Sequence, residues 1–162
     1  MITIGVDPGT ARLGFGVIDS EYDPRFLAAG VIETAPSFAM PDRLVLLFDG
    51  VTELLRRYQP ASMAVEQLFF ARNVTTAIVV GQARGVVLLA AGRAGIPVAE
   101  YAPTEVKQAV TGYGKADKRQ MQEMVRVILG LSDVPRPDDA ADALAVALCH
   151  VQSHSFRARI GE

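Results

Sequence analysis

The sequence predicts an α/β protein built on one mixed five-stranded sheet flanked by helices, and three observations carry that prediction. Three β-like runs, ITIGVD, LGFGVID and FLAAGVIETA, follow one another with turn chemistry at Pro8-Gly9 and around Asp23-Pro24, the pattern of an antiparallel meander. Two further short runs, SMAVEQ and PVAEY, alternate with helical stretches, the pattern of crossover units that extend a sheet in parallel. At 162 residues, half of them apolar, the chain has the length of a single domain, 1–162, with a core of its own.

Each helix has a local reason. Pro41 and Asp42 open an amphipathic one, with Leu44, Leu47, Phe48, Val51, Leu54 and Leu55 at helical spacing, which ends before Pro60. A long stretch from about 74 to 94 is apolar nearly all round and carries Gly81 and Gly85 four apart. Such a helix must be buried, inside the domain by first expectation and otherwise against a second copy. Helical patterns follow at 103–110, 117–129 and 139–152, with a tail from about 153 open to flexibility.

Composition narrows the function classes. The start, MITIGVDPG, reaches an acid and a proline before a signal-peptide core could form, and later apolar runs are broken by charge, so a soluble, cytoplasmic chain with no membrane partner is expected. The single cysteine, Cys149, excludes an internal disulfide and reads as a small buried thiol. Net charge is only -2, which does not announce a nucleic-acid binder. Its distribution is uneven: from Arg56 to Arg126 ten Lys or Arg stand against five acids, a local +5 that leaves the rest at -7. A basic middle suits an anionic partner, and it suits a solvated helix face as well.

Four carboxylates stand out. Asp7 ends the first predicted strand before Pro8-Gly9, a common place for a site in open α/β sheets and equally ordinary turn chemistry. Glu66 ends the fourth strand directly after apolar residues, where a charge must be solvated, paired or bound to a cation. Asp139 and Asp142, three apart, lie on one helix face. Capping and the helix dipole account for one acid of the Asp138–Asp139 pair, at roughly 1 kcal/mol. Asp138 is the expected cap, which leaves Asp139 free. If the fold gathers all four, like charges about 4 Å apart repel by roughly 4 kcal/mol at an effective dielectric near 20, more than capping returns. Such a cluster calls for a cation, and all-oxygen ligands select hard ions such as Mg²⁺ or Mn²⁺. Two ions about 4 Å apart would hold both the attacking and the leaving oxygen of a phosphodiester.

IGVDPGTARLGFGVI, AVEQLFFARN, GQARGV, VKQAVTGYGKADKRQ and DAADALAVALCH, in this order over nearly the whole chain, resemble the RuvC family of Holliday junction resolvases. That resemblance implies a ribonuclease H-like fold, a homodimer, and four acids that use Mg²⁺ to nick two symmetric strands of four-way junction DNA. By position the acids fall on Asp7, Glu66, Asp139 and Asp142. It further implies that Phe69 meets unstacked bases and that Lys107 and Lys118 contact phosphate near the site. A RuvA-RuvB branch-migration complex is the implied partner.

Beside the resemblance, the residues have their own reading. Phe69 and Phe70 are adjacent, so one would face the core, while an aromatic beside Arg72 and Asn73 suits base stacking with phosphate contact. Lys107, Lys115, Lys118 and Arg119 suit a phosphate backbone or a solvated surface. Rival readings are a sugar-kinase-like ATP lobe, for which one lobe is too little; the RuvX group of smaller ribonuclease H-like proteins, which share DPGT; and a non-cleaving junction binder, which the full acid set opposes. GYGKAD is no Walker loop, because Ala109 and Ala116 stand where glycine and a hydroxyl are needed. Cys149, His150 and His154 read as a helix end rather than a zinc site, and two histidines near the C-terminus give little support to a Ser-His pair.

Overall fold

The computed structural model describes residues 1–67 and 73–160. Three antiparallel strands come first: β1 (Ile2–Asp7), β2 (Arg12–Asp19) and β3 (Arg25–Glu33). Then α1 (Met40–Tyr58) leads to β4 (Ser62–Glu66), and α2 (Val74–Arg93) to β5 (Val98–Tyr101). Three helices close the chain: α3 (Pro103–Thr111), α4 (Lys118–Ile128) and α5 (Asp138–Ile160). The strands form one sheet ordered β3-β2-β1-β4-β5, antiparallel on the meander side and parallel where β4 joins β1 and β5 joins β4. The predicted mixed five-stranded sheet is therefore the observed one, and the first and fourth strands are neighbours.

Period-two alternation divides the core in two. Ile4, Val6, Leu13, Val17, Met63 and Val65 face α1 and α2 through Leu47, Val51, Leu55, Ala83 and Val87. The opposite face packs Ile18 and Ala64 against Leu144 and Leu148 of α5, with Val106, Val110 and Val125 behind them. Cys149 is buried here, and that burial pushes its thiol up to about 11, so it behaves as a small apolar side chain.

α5 lies close to the sheet because glycines of β1 and β2 face it. A Cβ on Gly5 would overlap the main chain at Ala143 and Ala147, and one on Gly14 would overlap the carbonyl of Asp139. The bare strand positions let the α5 backbone come down on the sheet and fix where its first turns fall. The helix also runs on to Ile160, past the expected end at 152, because no glycine or proline interrupts it before Gly161.

Two expectations are corrected. α2 is not enclosed by the domain: only Ala77, Ala83, Val87, Ala90 and Ala91 are buried, while Val74, Ile78 and Leu89 are more than half exposed. It is a helix long and apolar enough to cross a membrane, with its inner face packed on the core beside α1. Asp138 does not cap α5. It is the first helical residue, inside the helix rather than at its cap, and its carboxylate accepts instead from Gln122 Nε2 and the Arg136 guanidinium, each at 3.0 Å.

Candidate metal and DNA site

Parallel pairing of β1 with β4 places both strand ends on one edge of the sheet, so Asp7 and Glu66 leave the core side by side. The ladder sets Gly14 opposite Asp7, and the bare Cα of Gly14 admits the first turn of α5. Asp139 and Asp142 thereby arrive over the same edge from a different element.

Electrostatics couples Asp7, Glu66 and Asp142, with Asp139 acting on Asp7 and Asp142. Burial first, then Glu66, Asp142 and Asp139, raise Asp7 to about 7, with Lys118 opposing. Glu66 is raised by burial and by Asp142, against Lys107. Asp142 is raised chiefly by burial, against the pull of Lys118 and with a push from Asp139 and Asp138. Asp138 goes the other way: its hydrogen bond from Lys118 holds it below the usual carboxylate range. Asp139 is among the acids that raise Asp7, and Asp138 is not.

Lys118 is the cation at the centre. Its Nζ lies 3.3 Å from Asp138 Oδ2 and 3.4 Å from Asp142 Oδ2, and Lys118 is held above its ordinary range because these acids more than offset its own desolvation. Glu66, Lys107, Lys118 and Asp142 line one hollow of about 250 Å³, with Pro103 and Met121 among its walls. A second, also about 250 Å³, lies on the other side of Glu66, between Asp7, Gln67 and Arg84. A larger hollow of about 570 Å³ at the α3–α4 turn contains Tyr113 and Arg119 and none of the four acids.

The other expected contacts are scattered. Lys107 is half-buried in α3, and Lys115 and Arg119 are exposed on either side of the start of α4. Asn73 caps α2, its Oδ1 accepting from Thr75 N at 3.0 Å and Thr76 N at 3.4 Å, so only its amide nitrogen remains for a ligand. Phe69, Phe70 and Arg72 lie outside the described residues.

Two arginines were not singled out from the sequence. Arg84 of α2, mostly buried, donates to the main-chain carbonyl of Glu66 at 3.0 Å and pairs with Glu100 of β5, tying three elements together at the site. Arg12 reaches Glu33 at 3.3 Å and Asp139 at 3.9 Å. The available signal for Arg84 was a lone cation within an apolar helix, in GQARGV.

The donor set fits a hard divalent cation. It is carboxylate oxygen throughout, and three of the four acids are raised above their usual range, by burial first and then by neighbouring acids. Among the described residues no three His, Cys, Asp or Glu side chains are gathered closely enough to hold an ion as they stand. Lys118 supplies the local positive charge in their place.

A mixed sheet of this order, with acids at the ends of its first and fourth strands and on the first turns of its last helix, defines the ribonuclease H-like class. The family profile for "Crossover junction endodeoxyribonuclease RuvC" matches residues 3–150. The protein of that name from Rubrobacter xylanophilus is 59% identical over 99% of this chain and 90% of its own length, and that from Chloroflexus aggregans 55% identical over 99% of each. The solved structure "T. thermophilus RuvC in complex with Holliday junction substrate" superposes with a TM-score of 0.90 at 44% identity, covering 99% of this chain and 96% of that one. The chain belongs to the RuvC family of crossover junction endodeoxyribonucleases, metal-dependent nucleases.

Proposed function

We propose that this chain resolves four-way DNA junctions by paired, symmetric, hydrolytic nicks that leave 5′-phosphate and 3′-hydroxyl ends, in recombination and repair within the cytoplasm. The observation that carries the reading is the convergence of strand ends and the first turns of α5 on Asp7, whose carboxyl is raised by burial and then by three other acids whose charge a dication would offset.

Asp7, Glu66, Asp139 and Asp142 would hold Mg²⁺, two ions per site, with Mn²⁺ able to substitute. Bound there, the ions supply an activated water and charge compensation for the leaving 3′ oxygen. The protein's own groups do the rest. Asp7 must give up its proton before it can serve as a ligand. Glu66 is held by the grip of Arg84 on its carbonyl. Lys107 and Lys118 line the hollow beside Glu66 and would meet a phosphate there. Lys115, Arg119, Asn73, Arg72, Phe69 and Phe70 would extend the contact along the strand, with the aromatics stacking on unpaired bases.

Two symmetric nicks need two sites related by a two-fold axis, hence a homodimer. The exposed face of α2, with Val74, Ile78 and Leu89 and with open space above Gly85, offers the apolar surface for it. A RuvA-RuvB branch-migration complex is the partner that would deliver the junction.

The test is incubation with a labelled four-way junction and a matched linear duplex, with and without Mg²⁺. Paired nicks on the junction alone, lost in Asp7→Asn while junction binding persists, are expected. Equal cutting of the linear duplex would overturn the junction assignment.

A further inference from the structure

The acid next to the proposed ligands has no part in the scheme above, yet it is the most firmly anchored of them. Asp138 Oδ1 accepts two hydrogen bonds at 3.0 Å, from Gln122 of α4 and from Arg136. This fixes the carboxylate and turns Oδ2 toward Lys118 at 3.3 Å. Lys118 itself starts α4, where Asp117 and Gln120 exchange capping bonds of 2.8 and 2.9 Å that hold the backbone below it. Its ammonium is thus suspended between an anchored acid, Asp138, and Asp142, which stands 3.4 Å away with Lys118 as its hydrogen-bond donor.

We propose that Asp138 is a positioning residue that keeps Lys118 from occluding Asp142, so that Asp142 is available to a divalent cation while the ammonium stays at the mouth of the hollow. This rests on the reading of Asp142 as a metal ligand. A cation arriving at Asp142 takes the oxygen that Lys118 now shares and repels the ammonium. With Asp138 in place, Lys118 keeps one full partner and moves little. Without it, the Asp142 contact is the last ion pair Lys118 has here, and a cation must break it outright. Asp138 therefore acts on the metal through the lysine, with no need to touch it.

The experiment is a Mn²⁺ titration without DNA, read by the free-ion electron paramagnetic resonance signal, on the wild type, Asp138→Asn, Lys118→Met and the double variant, with Asp142→Asn alongside. Asp138→Asn is expected to weaken Mn²⁺ binding roughly two- to fivefold, the span of a single solvent-accessible ion pair. In the Lys118→Met background the same change should have little further effect, and Asp138→Glu should recover most of the loss. An equal loss with and without Lys118 would show that Asp138 acts by its own charge or by direct ligation, and no loss in the wild-type background would show that it does not act; either overturns the proposal. Mn²⁺ binding that survives Asp142→Asn undiminished would instead remove the ligand assignment beneath it. A purely structural role would lower the thermal midpoint without this dependence on Lys118.

Discussion

Gly14 touches Asp139 main chain to main chain: β2 and the first turn of α5 meet with no side chain between them, at the ladder position opposite Asp7. A methyl group at position 14 would overlap the Asp139 carbonyl and crowd its Cβ, neither of which can swing aside, so Gly14→Ala must lift the start of α5 from the sheet. The expected cost is about 1–3 kcal/mol of stability, read as a lower thermal midpoint. Nicking should fall further than junction binding, because the acids move and the basic surface does not. A variant with unchanged nicking would mean that the helix start has play that the contact does not suggest.

The raised carboxyl of Asp7 gives the metal-free protein a characteristic pH response. Its unfolded value is near 3.8 and its folded value about 7, so the folded state binds the proton more tightly. That contribution is fully present below the unfolded value and is lost as pH rises through the folded one. Glu66 and Asp142, also raised, act in the same sense. The acids held down, among them Asp19 and Glu123, titrate below their ordinary range and leave the window above pH 5 clear. In chelator, the thermal midpoint should therefore fall between pH 5 and 8. Asp7→Asn should flatten the slope and raise the midpoint at pH 8.

The neighbouring aspartates should separate by phenotype. Asp139→Asn and Asp142→Asn are expected to reduce nicking at least about a hundredfold with folding and junction binding intact. Asp138→Asn should retain nicking at saturating metal and lose stability, since Gln122, Arg136 and Lys118 all give up a charged acceptor. Side-by-side rates at high and low Mg²⁺ check the ordering.

A charge placed on the outer face of α2 should divide the dimer. Ile78→Asp and Leu89→Asp alter side chains that are 59% and 56% exposed in the single chain, so they cost the monomer little. Sedimentation is expected to give about twice the 17.4 kDa chain mass for the wild type and the single mass for the variants. A wild type that sediments as a monomer at micromolar concentration would exclude this pairing.

Phosphate contacts can be counted by salt. Removing the charge of Lys107, Lys115 or Arg119 in turn should weaken junction binding and lower the slope of log affinity against log salt by roughly one for each residue that meets a phosphate. A variant with an unchanged slope identifies a side chain that is merely solvated.

The strands and helices were legible because the periodicities were clean: alternation in ITIGVD and SMAVEQ, and helical spacing from Leu44 to Leu55. The meander-then-crossover order allows the strands of Asp7 and Glu66 to be neighbours without requiring it, and the β1–β4 pairing makes them so. The role of Asp138 escapes the sequence because capping is a local rule, and its partners, Gln122 and Lys118, come from another helix. The setting of α2 escapes it because an all-round apolar pattern says only that some surface will cover it, without saying whose. Arg84 is silent in the sequence because its value lies in a main-chain carbonyl, which no residue pattern displays.

Arg84 stands on the same helix as Ile78 and Leu89. In the proposed dimer one side of α2 meets a second copy, while the other reaches the strand end that carries Glu66. Subunit pairing and active-site geometry would then share a single rod, so the span between the two cuts would be set where the rods meet, and neither property could drift without the other.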